Sequence, residues 1–348
     1  MKRGNTQGGL YFLVHFLVEV TSFYVLTCYT QSPYIWVLAL IYDFAAFVPQ
    51  GLFGWLRDRG LYVNFALWGT LITSAAVGCL MLGGNVFLTV TVLSLGNCLV
   101  HIRGAEVTLR SSAGRMSPSA VFVAGGSFGV VTGKLLSAHG VAAPWVLGLS
   151  LLSLVPILLA ERLNTRGGEE NLRLYNYANP RIRTSVVVVL AVVVVAVRAF
   201  MAYGIPTSWN KTELQTVALY VFMGVGKAMG GVLIDCIGIR LTALISTIGA
   251  LPFLLFGDTV MALSLIGMAF FSMTMAVSLA LLVSRMESLP GVAFGLTTIG
   301  LFLGTLPVFF FRVHSVLVNC VMISILTVLC VVILSIICAK RVKRTDKE

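Results

Sequence analysis

The chain has 348 residues, of which 58% are hydrophobic and only 11% charged. Its mean hydropathy of +0.97 excludes an ordinary soluble domain, which needs more polar surface than this to cover a globule. The net charge of +11 reads as a topology signal rather than a nucleic-acid footprint, because the basic residues gather in loops on one side of successive apolar runs.

Those runs are about as long as a bilayer core is thick, and twelve of them are expected. Lys2 and Arg3 precede the first, at about 10–29, and imitate a signal peptide. The run is long and has no clean small-residue cleavage site, so it reads as an uncleaved first span. Spans 2 to 6 follow at about 33–56, 61–81, 86–107, 118–137 and 142–160. Next comes the long polar interruption Glu161 to Arg183, with Arg162, Arg166, Gly167, Gly168, Glu169, Glu170, Arg173, Pro180 and Arg181. Spans 7 to 12 are expected at about 184–205, 212–234, 241–256, 259–284, 290–311 and 314–339. The Val-rich stretch 186–197 and the short span 241–256 are the weakest of these. Residues 1–160 thus form an N-terminal six-helix bundle, 161–183 a basic linker, 184–339 a C-terminal six-helix bundle and 340–348 a basic tail. With the N-terminus inside, 18 Lys and Arg fall on the cytoplasmic side and three (Lys134, Lys211 and Arg312) outside. That bias puts both termini, the linker and the tail in the cytoplasm.

Two stretches rhyme across this plan. Gly54-Trp55-Leu56-Arg57-Asp58-Arg59-Gly60 closes span 2, and Gly231-Val232-Leu233-Ile234-Asp235-Cys236-Ile237-Gly238-Ile239-Arg240 closes span 8. Each sets Gly four residues before Asp, with Arg close behind. Twelve spans, a basic central loop and this repeated motif resemble the major facilitator superfamily over essentially the whole chain. In the first copy the spacing after Asp58 is shortened and the trailing basic pair is absent. Three further stretches resemble the superfamily's fosmidomycin-resistance-like branch: His15-Phe16-Leu17-Val18-Glu19, Gly96-Asn97-Cys98-Leu99-Val100-His101 and Val123-Ala124-Gly125-Gly126-Ser127-Phe128-Gly129. The superfamily resemblance implies an all-α integral membrane protein: twelve transmembrane helices in two pseudo-symmetric six-helix bundles, with spans 1, 4, 7 and 10 lining a central cavity.

Charged groups inside a membrane are costly and point to function or to balanced packing pairs. His15 and Glu19 lie four apart on one face of span 1, where Glu19 is the candidate proton-coupling residue and His15 its partner. Arg198, His101 and Asp43 are candidates for the substrate cavity. Arg198 is expected to meet an anionic ligand, or Glu19 across the bundle interface. Arg103 and Glu106 are three apart and can pair. With Gly54, Asp58, Arg59, Gly231, Asp235 and Arg240 they form the expected cytoplasmic gate, in which each Asp caps the next helix. Gly125, Gly126, Gly129 and Gly133 resemble the superfamily's antiporter motif, set against ordinary small-residue helix packing. Tyr11, Tyr24, Trp36, Tyr203 and Trp209 are aromatic candidates for the cavity or the membrane interfaces.

The chain has no G-x-x-x-x-G-K-[ST] phosphate loop, and its four His and seven Cys show no metal-ligand spacing. No enzyme activity, metal or cofactor is expected. The expected activity is secondary transport by alternating access, as proton-coupled antiport (efflux) of a small amphipathic or anionic compound. A proton-coupled uptake symporter is the alternative on the same fold, and a non-transporting sensor or assembly partner is the alternative of another class. The expected partners are the substrate, protons and lipid, with no nucleic acid. The chain is read as a monomer in a cell membrane, by resemblance a bacterial inner membrane.

Overall fold

The computed structural model describes residues 2–165, 175–209, 211–311 and 314–340. Linker residues Arg166, Gly167, Gly168, Glu169, Glu170 and Arg173, Arg312, and tail residues 341–348 lie outside the described residues.

Among the described residues, twelve apolar helices follow the twelve expected spans: α1 (Lys2–Cys28), α2 (Ile35–Asp58), α3 (Phe65–Met81), α4 (Val86–Arg110), α5 (Ser117–Ala138), α6 (Ala143–Leu163), α7 (Thr184–Gly204), α8 (Glu213–Ile237), α9 (Ile239–Phe256), α10 (Met261–Val283), α11 (Pro290–Phe309) and α12 (Val316–Ile337). Eleven are apolar enough over 18 residues to cross a bilayer, and α3 is a shorter apolar helix. Helix α1 begins eight residues before the expected span, because nothing in Lys2–Gly9 stops a helix whose first turns pack on the α4–α5 loop and α5. A side chain at Gly4 would strike the backbone of Ser111, and one at Gly8 that of Pro118.

Several helices are interrupted, which hydrophobic patterning alone does not register. Pro49 interrupts α2 between Phe47 and Gln50, and Pro156 follows a break in α6 after Leu152. Proline has no N–H for the carbonyl four residues back. Helix α9 breaks between Ser246 and Leu251, just before Pro252. Pro307 sits in the 3₁₀ turn Leu306–Phe309 that ends α11. The break in α10 at Met273 has no proline; there Arg198 takes the Phe271 carbonyl instead.

Packing repeats with a period of six helices. Within the first half α1 lies along α5, and within the second α7 lies along α11. Between the halves α2 packs on α11 and α8 on α5, and each pair maps onto the other when six is added to or subtracted from the helix number. The end of the linker joins the second half: Ala178 forms an antiparallel bridge to Cys338, and the Ala339 N–H donates to the Tyr177 carbonyl at 2.8 Å.

Candidate functional site

Two polar constructions sit inside this scaffold, one mid-membrane in the first half and one at the ends where the two motifs lie.

The first is built on α1 and α4. His15 and Glu19 share the face of α1 that meets α4 and α5. The small residues of α5 let that face approach closely: a methyl group at Gly126 would lie 2.5 Å from His15 Nε2, and one at Gly129 would lie 2.7 Å from Glu19 Cβ. Gly125 and Gly133 fit against the Phe12 and Val20 carbonyls in the same way. These four glycines therefore serve α1–α5 packing. Gly125-Gly126-Ser127-Phe128-Gly129 also has the letters of a hydrolase nucleophile motif, but it runs through the middle of helix α5. That motif needs a strand-to-helix turn, so the letters carry no hydrolase chemistry here.

From α4, His101 reaches His15 with 2.8 Å between the two Nε2 atoms. Glu19 Oε1 is 3.7 Å from His15 Nε2 and 3.4 Å from His101 Nε2. All three side chains are buried. Each imidazole turns its Nδ1 to a backbone carbonyl, His15 to Phe122 and His101 to Asn97, both at 2.9 Å. A carbonyl only accepts, so both Nδ1 atoms carry protons. Two neutral rings would then face each other, and the carboxylate, with bare lone pairs. The cluster needs a cation among its three acceptors, either a proton on one Nε2 or a metal ion. The three ligand atoms lie within 4.8 Å of one another and could hold a metal, and an Nδ1–H fixed by a carbonyl is how protein imidazoles are aimed at metals. Four histidines scattered in sequence hid this, because two of the three groups meet only through helix packing. Asn97, which sequence reasoning left unassigned, donates to Glu19 Oε1 at 2.9 Å and to Ser22 Oγ and Tyr42 Oη at 3.1 Å each.

Arg198 is elsewhere. It does not pair with Glu19, contrary to one sequence expectation. Its Nη2 donates to the Ser246 and Phe271 carbonyls at 2.8 and 3.0 Å, and its guanidinium lies 3.5 Å from the Phe271 ring centroid. Those carbonyls lie where α9 and α10 break and are shared with Thr274 Oγ1, so a helix end and an aromatic face replace the expected anion. Asp43 lines a cavity of about 290 Å³ with Phe23, Tyr42, Tyr203 and Phe309. Of the other aromatic candidates, Tyr11 and Tyr24 are buried and Trp36 is 57% exposed.

The second construction closes one end of the molecule. Asp58, at the end of α2, accepts from the Gly291 and Val292 N–H groups at 3.2 and 2.9 Å. Asp235, at the end of α8, accepts from the Met116 and Ser117 N–H groups at 2.8 and 2.9 Å. Each Asp was expected to cap the next helix in the chain. Instead it caps a helix of the opposite half, α11 or α5, because α2 and α8 end against those N-termini. Gly54 and Gly231 allow the approach, with Gly54 against Gly291 and Gly231 against Met116 and Ala120.

Around Asp58 the charges form a chain. Arg110 reaches Asp58 at 3.3 Å and Glu106 at 3.4 Å. Glu106 also takes Arg57 at 2.6 Å and Arg103 at 2.8 Å, and Arg103 holds Glu161 at 2.7 Å. The expected Arg103–Glu106 pair is present, and Arg57 fills the role assigned to Arg59. Arg59 instead lies 5.1 Å over its neighbour Trp55, because it points off the end of α2. Arg240 likewise does not join Asp235; it donates to the Ser335 and Cys338 carbonyls at the end of α12.

Sequence reasoning missed Tyr177. Its hydroxyl donates between Asp235 Oδ1 at 3.1 Å and the Gly114 carbonyl at 3.0 Å, while its N–H donates to Ser284 Oγ. One linker residue therefore touches both halves. Burial first, and then the neighbouring Asp235 charge, hold its hydroxyl above the ordinary tyrosine value of 10.0, so it stays a donor. Two tyrosines inside an otherwise polar linker were the available signal.

No protein-family model matches the chain, and no curated protein matches it. Solved structures do. One is a bacterial homologue of the iron transporter ferroportin in an outward-facing state, at TM-score 0.62 and 14% identity, over 96% of this chain and 99% of that one. The Escherichia coli fucose:proton symporter FucP is similar at TM-score 0.60 and 13% identity, over 94% and 97%. A second FucP structure, titled as a major facilitator superfamily transporter in the outward conformation, gives TM-score 0.61 over the same shares. The chain has the major facilitator fold. It is an all-α, multi-pass membrane architecture, as the repeated motifs implied. The finer likeness to the fosmidomycin-resistance-like branch rests on the three sequence stretches alone.

Proposed function

We propose that this chain is a secondary active transporter working by alternating access. The observation that carries the reading is the pair of reciprocal caps, Asp58 on α11 and Asp235 on α5. They are related by the six-helix repeat and close one end between the halves, while a cavity lies between the halves towards the opposite end. Two bundles joined by a few polar contacts at each end, the caps at one and Lys134–Tyr220 and His139–Glu213 towards the other, can rock by exchanging one closure for the other. The 18-to-3 charge bias supports placing the capped end, both termini and the linker in the cytoplasm, and the state as outward-open. We read the chain as a monomer of a bacterial inner membrane.

In its finer form the proposal is proton-coupled antiport of a small amphipathic compound, with Glu19 and His15 in the coupling site. His101 joins them, and the support is the acceptor-only geometry of the cluster, which calls for a cation. The anionic substrate class rested on Arg198, whose guanidinium is taken up by helix carbonyls. The test is proton flux in inside-out vesicles, with wild type and Glu19→Gln side by side against a panel of compounds. A compound that collapses the gradient only with wild type supports antiport through Glu19. Undiminished coupling in Glu19→Gln would sink that assignment. Substrate-driven proton movement in the opposite sense would favour uptake symport, as in the fucose:proton symporter FucP. Binding without flux would favour a sensor.

A second reading has a specific observation behind it: two Nε2 atoms and a carboxylate oxygen converge, and one similar structure is of an iron-transporter homologue. In that reading a divalent transition metal is the cargo. Co²⁺ uptake into liposomes that His101→Asn abolishes would favour it over proton coupling.

A further inference from the structure

The cavity at Asp43 has a chemistry of its own. It has a volume of about 290 Å³ and is walled by both halves: Phe23 from α1, Tyr42 and Asp43 from α2, Tyr203 from α7 and Phe309 from α11. Those positions lie towards the helix ends away from Asp58 and Asp235. A second cavity of about 300 Å³ shares Tyr203 and Val308 with it, so the two adjoin.

Asp43 is the charged residue of this wall, and no hydrogen bond or ion pair joins it to another described residue. A carboxylate in apolar surroundings without a donor is costly unless a cation meets it. The remaining wall combines four aromatic rings with Leu26, Ala39 and Val308, and ring faces attract cations at about 6 Å or less. One of these rings already does so within the protein: Lys134 Nζ lies 5.5 Å from the Phe23 centroid, held there by Tyr220 Oη at 2.8 Å. Arg198, which would have favoured an anion, is bound to helix carbonyls.

We infer that this cavity is a binding site for a monovalent organic cation with an apolar body, its charge at Asp43 and its body among the aromatic rings. The site is wired to the coupling cluster. Tyr42, next to Asp43 in the chain, accepts from Asn97, and the same Asn97 amide nitrogen donates to Glu19. A cation seated at Asp43 therefore touches the residue whose neighbour positions Glu19. The inference rests on the transporter reading for what the bound cation is for, and on the cavity alone for binding.

The test measures binding to the purified full chain in lipid nanodiscs by equilibrium dialysis. The probes are phenylbutyltrimethylammonium, its neutral tert-butyl isostere and phenylbutyrate. Wild type is expected to bind the cation about tenfold or more tighter than the isostere, from the ion pair and ring contacts together. Asp43→Asn should lose that preference while still binding the isostere, which also shows that the variant is folded, and Asp43→Glu should keep it. Equal binding of cation and isostere by wild type, tighter binding of phenylbutyrate, or no binding of any probe would overturn the inference. Cation that binds but is never carried across proteoliposomes would overturn the transporter reading and leave the site standing.

Discussion

Gly126 and Arg198 show how single residues set the interior of this protein. At Gly126 the absent side chain is the space His15 occupies. Gly126→Val should push the His15 ring off His101 and loosen α1 from α5, and cavity-level overpacking of this kind typically costs about 1–3 kcal/mol. The check is a lower unfolding temperature together with loss of whatever cation the cluster binds. Arg198 spends its charge on two helix ends and a ring rather than on a ligand. Arg198→Gln should therefore lower thermal stability while leaving the affinity of an identified substrate within about twofold, since the guanidinium does not touch the Asp43 cavity; a charge-assisted hydrogen bond is worth about 1.5–3 kcal/mol. Thermal unfolding and substrate binding, measured on the same variant, separate the two effects. Sequence reading singled out His15, Glu19 and His101 as buried polar groups that need a reason, but nothing in their numbering says that two Nε2 atoms meet. That fact depends on the rotation of α4 against α1.

At the scale of elements, helix ends matter more than helix middles. Asp58 and Asp235 each satisfy two N–H groups of a helix in the other half. Replacing a cap by Ala typically costs about 1 kcal/mol, so Asp58→Ala and Asp235→Ala should each favour opening of the capped end about fivefold. Maleimide labelling of a single cysteine placed beneath the caps, in an otherwise cysteine-free background, reads that change. The linker adds its own latch through Tyr177. Its hydroxyl ionises above the ordinary 10.0 in the folded protein, so the folded state holds this proton more tightly than the unfolded chain. Its contribution is complete below about pH 10 and is lost as pH rises from there towards the folded value. Unfolding temperature measured from pH 8 to 11 should fall at the alkaline end, less steeply in Tyr177→Phe. Helix breaks belong to this scale too. Those near Pro49, Pro156 and Pro252 were legible as prolines, whereas the one at Met273 was not, because a side chain from another helix makes it.

For the whole molecule, the six-helix repeat places the two local caps at equivalent positions. The contacts α2–α11 and α8–α5 are equivalent under the repeat, so both caps resist the same rigid-body motion. If the halves move as units, the two single-variant shifts should multiply, and the Asp58→Ala, Asp235→Ala double variant should favour opening about 25-fold. Labelling that only equals the larger single effect would mean that the two sides open independently. At this scale the two motifs were the informative sequence signal, since their recurrence pointed to a duplication and the family resemblance implied a gate there.

The amino-acid sequence by itself determined the number, order and approximate limits of the membrane helices, since the hydrophobic cost of exposing about 20 apolar residues to water is a property of each segment alone. It also marked which buried charges needed a reason. Tertiary structure decided what those charges meet. Asp58 and Asp235 cap helices more than a hundred residues distant, Arg198 turns to broken helix ends, and Asp43 is left facing an aromatic cavity. Partner choice depends on a few ångströms of approach between helices, and glycines such as Gly54, Gly126 and Gly231 set that approach in three dimensions rather than along the chain.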